Sequence, residues 1–395
     1  MKRSLILLVS LLVIGACVDR VDIPIIGEYS KDLVIDGLIT DQPGPYTVKL
    51  SRVIRINDAL PGGFAVTAKK VTLLDDAGNS EVLEETDKGV YQTNLNGIRG
   101  VVGRSYQIRV ETFDGYEFES LADKMNPVGK VDSVYYEFET RQPADAPTEH
   151  GYRIYIDAHN MPGEDQYLRW KFNGTYVVET SPQYKLCLDA PCMRFDYCPL
   201  KCSGYAYDEN GVLHKSWAYN PITKKVEYVI GLACTCCRCW VTPPEDKPRI
   251  SDNQVSKEGK FNKVEMAYVP VNYYTFFEKY RAEIIQMSLS RAAFDYWRAV
   301  KSQKEGVGSL FQPVTGKIPT NLYEKNKALG IQGLFYAAAI TKKHIYLDKE
   351  THKVEIYIPK SCAPGNGIRE GAAGESCLLA FPGSITTTQQ PVDWN

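Results

Sequence analysis

The chain has 395 residues, 44% of them apolar and 24% charged, which excludes a disordered or fibrous protein and suits about two domains of 100–200 residues. Its 46 Lys and Arg against 48 Asp and Glu give a formal charge of −2, and removing Lys2 and Arg3 with a signal peptide leaves 44 basic residues. That balance lacks the positive surplus of a nucleic-acid binder, and the 26 tyrosines with 30 Gly and 22 Pro favour strands and turns over helices.

Met1-Lys2-Arg3 is a basic leader, and Leu5 to Ile14 is an apolar run broken only by Ser10. As a helix it rises about 15 Å, half of a bilayer core, so it reads as a signal segment rather than a membrane span. It ends in Ile14-Gly15-Ala16-Cys17, a bacterial lipobox: small residues admit the peptidase, and the Cys17 thiol accepts the lipid. The expected organisation is a signal peptide over 1–16 and a lipidated tether over 17–30 that anchors the mature body to a membrane. Asp19 and Asp22 near the anchor resemble a surface-export signal only in part, since they are separated and Arg20 intervenes.

Period-two alternation begins at Leu33, Ile35 and Ile39, and returns at Tyr46, Val48 and Leu50 after the turn Asp41-Gln42-Pro43-Gly44-Pro45. Val71 to Leu74 runs into Asp75-Asp76-Ala77-Gly78-Asn79, Gly89-Val90-Tyr91 follows, and Tyr106, Ile108 and Val110 alternate before Asp114-Gly115, a strong hairpin signal. These short strands predict an immunoglobulin-like β-sandwich over 31–125.

Residues 126–395 predict a larger β-rich (α+β) domain. Asp132–Glu139, Tyr152–Ala158 and Tyr167–Glu179 read as strands, 180–260 as a cysteine-rich insertion, and Pro243–Gly259 within it as a polar loop. Tyr280–Met287 alternates and leads into one amphipathic helix that Ser290 can cap, with Leu289, Ala293, Tyr296, Trp297 and Val300 at helical spacing. Ile331 to Ile340 is apolar but too short to span a bilayer, and Val354, Ile356 and Ile358 alternate as a further strand.

Besides Cys17 there are ten cysteines: Cys187, Cys192, Cys198, Cys202, Cys234, Cys236, Cys237, Cys239, Cys362 and Cys377. An even number in an exported chain reads first as a disulfide framework, with zinc binding or redox-active thiols as the alternatives. Neighbours Cys236 and Cys237 would close only a strained ring with each other, so each is expected to pair elsewhere. The simplest pairing joins the 187–202 group to the 234–239 group and closes Cys362 to Cys377.

Catalytic patterns fail on inspection. Gly306-Val307-Gly308-Ser309 is followed by Leu310 and Phe311 rather than completing a nucleophile elbow, and His150, His159, His214, His344 and His352 are scattered. The expectation is a protein that is not an enzyme, has no cofactor or metal and binds no nucleic acid; its small-molecule or oligomeric ligand is not named by any motif.

Several stretches in order resemble a family of Bacteroidota lipoproteins, the domain-of-unknown-function family 4249. They are Leu33-Val34-Ile35-Asp36-Gly37-Leu38-Ile39-Thr40-Asp41, Gly44-Pro45-Tyr46-Thr47-Val48-Lys49-Leu50-Ser51, Gly89-Val90-Tyr91-Gln92-Thr93 and Gly100-Val101-Val102-Gly103-Arg104-Ser105-Tyr106. Ser290-Arg291-Ala292-Ala293-Phe294-Asp295-Tyr296-Trp297, Val307-Gly308-Ser309-Leu310-Phe311 and the ending Pro391-Val392-Asp393-Trp394 continue the likeness. The resemblance transfers no catalytic residue. It implies a lipoprotein on the outer membrane, facing the cell exterior and partnered with a SusC-type TonB-dependent transporter, as a non-catalytic accessory or substrate-capture subunit. The alternatives are a structural subunit of an outer-membrane assembly or secretion complex, and a surface glycan-binding module or hydrolase.

Overall fold

The computed structural model describes residues 32–52, 64–142, 148–162, 166–189, 194–208, 210, 212–229, 233–252, 258–306, 318–326, 330–348, 360–363, 367–370 and 374–394. Cys17 with its signal and tether, the Val307–Phe311 stretch and the expected strand at 354–358 lie outside them. The chain is mainly β, built as two sandwiches joined under one helix.

The first sandwich starts with β1 (Leu33–Thr40), β2 (Thr47–Arg52), β3 (Phe64–Ala65), β4 (Lys70–Asp75), β5 (Ser80–Val82), β6 (Glu84–Asp87), β7 (Val90–Gln92), β8 (Ser105–Glu111), β9 (Glu117–Ser120) and β10 (Asp123–Lys124). Alternation sorts their side chains: Leu33, Ile35, Val48, Leu50, Val71, Leu73, Tyr106, Ile108 and Val110 all point into one core. The Asp75–Asn79 turn closes as read, because Asp75 Oδ1 accepts the N–H groups of Ala77 and Asn79 at 3.0 and 2.9 Å and Gly78 takes φ +84°.

The second half adds β11 (Lys130–Arg141), β12 (Glu149–His159), β13 (Tyr167–Glu179), the small hairpin strands β14 (Leu186–Asp189), β15 (Arg194–Tyr197), β16 (Tyr205–Tyr207), β17 (Leu213–Lys215), β18 (Trp217–Asn220) and β19 (Lys225–Tyr228), then β20 (Arg238–Thr242), β21 (Arg249–Asp252), β22 (Lys260–Pro270) and β23 (Lys279–Leu289). After the helix α1 (Arg291–Gly306) come β24 (Leu322–Glu324), β25 (Ile331–Ala338), β26 (Ile340–Asp348), β27 (Lys360–Ala363), β28 (Gly367–Glu370) and β29 (Ile385–Thr387).

The expected boundary near residue 125 is crossed by the chain. One sheet of the first sandwich runs β25-β1-β2-β7-β6 and the other β24-β9-β8-β4-β5, so both take an outer strand from beyond residue 320. β25 pairs with β1 in parallel, from Leu33↔Ile331 to Thr40↔Ala338. Its apolar run is therefore a strand covered on both faces: Phe335 and Ala337 enter the first core, while Leu334, Tyr336 and Ala338 enter the joint under α1. Gly333 makes the approach possible, since at φ +99° a Cβ there would stand 2.0 Å from the Ile35 carbonyl oxygen.

The second sandwich packs β11-β12-β22 against β26-β23-β13-β20-β29, with β21 also on β13. Leu168, Trp170, Tyr176, Tyr152, Ile154, Ile156, Tyr280 and Ile284 fill it. The expected loop over Pro243–Gly259 contains β21, whose pairing with β13 rather than any apolar run makes it a strand. Ser290 caps α1 by accepting the Ala293 N–H at 3.1 Å. Beneath the helix, Ala293, Phe294, Tyr296 and Trp297 meet Leu38, Leu334, Tyr336, Tyr167 and Met287 from both sandwiches. The C-terminal segment ends on this scaffold: Trp394 is buried against Trp240, Val177 and Tyr346, and Arg281 holds the Asp393 carboxylate at 2.6 Å.

Candidate functional site

The cysteines divide by burial. Cys202 bonds to Cys236 and ties the two cysteine groups together; Cys234 bonds to Cys237 inside the second group; Cys239 bonds to Cys377. The expected Cys362–Cys377 closure is thus replaced. Cys377 is carried into the second core, where it and Cys239 are fully buried, and the Cys377 N–H donates to the Cys236 carbonyl at 3.0 Å. Cys198 is also disulfide-bonded, and the side chains of Cys187, Cys192 and Cys362 lie outside the described residues. Sulfurs held in these bridges have no thiolate to offer a zinc ion, and among the described residues no group of three His, Cys, Asp or Glu converges on a metal position. A cavity of ≈ 530 Å³ lies beside the Cys234–Cys237 bridge, lined also by Glu179, Gln183, Tyr205 and Lys215.

A second cavity, ≈ 460 Å³, follows from a split in a sheet. Along one edge of β13, β21 covers Tyr167–Trp170 and β20 covers Tyr176–Glu179. The connection between them carries Pro243 and Pro244, which have no N–H to continue a ladder. The opening is lined by Phe172, Tyr176 and Tyr280 on one hand and by the charged Glu245, Asp246 and Arg249 on the other.

Charge gathers where the two sandwiches meet. Arg169 on β13 is buried; its Nη2 bonds the Glu245 carboxylate, its Nη1 donates to the Tyr336 hydroxyl at 3.3 Å, and its guanidinium stacks 3.7 Å from the Trp297 ring centroid. Three atoms of this cluster, Arg169 Nε, Glu245 Oε1 and Trp297 Nε1, are buried with no hydrogen-bond partner among the described residues. Asp36 on β1 has a water-accessible side chain, yet burial among protein atoms raises its pKa against the opposing pull of Lys49, Arg169 and Lys171. Lys171 is half-buried, and desolvation followed by the Arg169 charge lowers its pKa. On neighbouring β23, opposite Asn173, burial pushes the Glu283 carboxyl up, but hydrogen bonds from Arg281 and Asn173 outweigh it and hold the group below the ordinary range. Asp36, Lys171 and Tyr296 thus interact through charge around the buried Arg169, whose guanidinium is already stacked on Trp297. Of these residues the sequence reading had singled out Tyr296 and Trp297, as helix packing. Asp36 sits at an outward position of a strand otherwise read for its core face, and only the β1–β25 pairing brings it near Arg169.

The model of the family "Domain of unknown function (DUF4249)" matches residues 18–344, most of the chain. The chain belongs to that family. The matched span holds the first sandwich and most of the second, while the end of β26, β29, the bridge partner Cys377 and the Asp393–Trp394 ending lie beyond it. No curated protein matches the sequence.

Proposed function

We propose that this protein is an outer-membrane lipoprotein of a Bacteroidota-type envelope, anchored through Cys17 and facing the cell exterior, where it serves as a non-catalytic accessory of a SusC-type TonB-dependent transporter. The observation that carries the reading is the lipobox Ile14-Gly15-Ala16-Cys17, placed a short tether ahead of a disulfide-stapled β body. Lipid at Cys17 would hold the two sandwiches against the membrane, and no helix among the described residues is long and apolar enough to cross one. Within this reading, substrate capture falls to the surface around the exposed Asp36 and the half-buried Lys171.

The test is affinity purification of the tagged protein from native membranes, followed by mass spectrometry. One TonB-dependent barrel in stoichiometric amount supports the reading. Recovery without a barrel, or with several envelope-biogenesis subunits, overturns it. Cys17→Ser, expressed in parallel, should release the protein from the membrane fraction.

A further inference from the structure

We propose that the Cys234–Cys237 bridge is a thiol–disulfide exchange site: it reacts reversibly with external thiols while the rest of the protein stays folded. Beyond anchoring and transporter partnership, this gives the cysteine-rich region a chemistry of its own.

Three observations carry it. The first is access. Cys234 and Cys237 are half-buried and line the ≈ 530 Å³ cavity, whereas Cys236 is 2% exposed and Cys239 and Cys377 are fully buried. Cys202 is also half-buried, but its partner Cys236 is not, so among the bridges with both partners described this one alone offers both cysteines to an attacking thiolate. The second is spacing. Cys234-Thr235-Cys236-Cys237 places two residues between the bonded cysteines, the Cys-x-x-Cys arrangement in which thiolates are stabilised, and Lys215 lines the same cavity. This bridge spans a sequence separation of 3, against 34 for Cys202–Cys236 and 138 for Cys239–Cys377, so opening it frees the least chain.

The third is support. The backbone beneath the bridge is fastened by other means: the Thr180 N–H donates to the Cys237 carbonyl at 2.7 Å, the Thr235 N–H to the Cys202 carbonyl at 2.8 Å, and the Cys377 N–H to the Cys236 carbonyl at 3.0 Å. Cys236 is itself bonded to Cys202. With these in place, the Cα atoms of Cys234 and Cys237, 5.7 Å apart when bonded, remain in position to close again.

The reaction balances with two thiols. A thiolate attacks one bridge sulfur; its S–S bond breaks, a mixed disulfide forms, and the other cysteine leaves as a thiolate that takes up a proton. A second thiolate attacks the mixed disulfide on the external sulfur, releasing the oxidised external disulfide and the second cysteine thiolate. Two electrons and two protons pass from the external thiols to Cys234 and Cys237, and the reverse direction oxidises the pair.

The test treats the folded full-length protein with dithiothreitol under native conditions, quenches with iodoacetamide at intervals and counts alkylation at each cysteine by peptide mass spectrometry. Cys234 and Cys237 should label together at least about tenfold faster than Cys202, Cys236, Cys239 and Cys377, with the near-ultraviolet circular dichroism unchanged, and oxidised glutathione should restore the bridge. Labelling of Cys202 and Cys236 at the same rate, or loss of the dichroism in the same phase, overturns the proposal. In Cys234→Ser/Cys237→Ser the fast phase should vanish and the slower rates remain; a fast phase that persists also overturns it.

Discussion

Asp123 gives a direct test of how the joint between the sandwiches is balanced. It sits on β10, 4% exposed, where its Oδ2 accepts the Ala337 N–H at 2.9 Å and its carboxyl bonds Ser290, the residue that caps α1. No cation offsets its burial, so desolvation outweighs the two hydrogen bonds and pushes its pKa from 3.8 to about 6. A native state that binds the proton more tightly than the unfolded chain loses stability as pH rises between those two values, and bears the full cost above about 6. At about 1.4 kcal/mol per pKa unit the cost at neutral pH is ~3 kcal/mol. Asp123→Asn removes the charge and keeps an oxygen for the Ala337 N–H, while its NH₂ group must find a partner at a cost of about 1 kcal/mol. We therefore expect the variant to be more stable than the wild type by about 2 kcal/mol near neutral pH, and equal or slightly weaker near pH 4, where Asp123 is protonated when folded. Urea unfolding followed by tryptophan fluorescence at several pH values between these limits measures the difference. Two stability curves that run parallel across the range would refute the reasoning.

Four further outcomes follow from the packing. Cys239→Ala/Cys377→Ala should lose about 5 kcal/mol on the chain-entropy scale and Cys202→Ala/Cys236→Ala about 4, in the order of their sequence separations of 138 and 34; denaturant midpoints in the reverse order contradict that account. Ser290→Ala removes both the cap on the Ala293 N–H and the hydroxyl bonded to Asp123, and should cost about 2 kcal/mol in the same assay, with no change in helix content beyond the first turn. Gly333→Ala puts a Cβ 2.0 Å from the Ile35 oxygen at φ +99°, so a loss well above about 1 kcal/mol is expected, and a neutral result would mean that β25 does not pair as described. Trp394→Ala should cost about 3–5 kcal/mol if its contacts with Trp240 and Tyr346 hold the C-terminal segment down; unchanged protease resistance of that segment would show they do not.

What the sequence makes legible is local. The period-two alternation from Leu33 to Val110, the Asp75–Asn79 turn and the Ser290 cap each lie within a few residues of the groups they organise, and each stands in the structure as a strand, turn or cap. The role of Ile331–Ala338 is not legible in that way: a continuous apolar run is common to buried strands and buried helices, and its partner β1 lies about three hundred residues earlier. β21 is invisible for the opposite reason, since Arg249–Asp252 has one apolar side chain and owes its shape to the edge of β13. The Cys239–Cys377 pair fails the nearest-neighbour guess because sequence distance does not measure distance across a folded core. The charge cluster is hidden longest, because Asp36, Arg169 and Lys171 come from two sandwiches and carry no motif between them.

The parallel pairing of β1 with β25 also sets an order in time. An antiparallel hairpin can close as soon as its second strand exists, and β1 with β2 can do so early. The sheet they begin is left with an open edge on β1 until residues 331–338 arrive, so a chain emerging from its amino end carries an incomplete first sandwich while most of the second is still being delivered. The part of the protein that comes first is therefore among the last to be finished, and a truncation anywhere before residue 338 should expose an apolar strand edge at the opposite end of the chain.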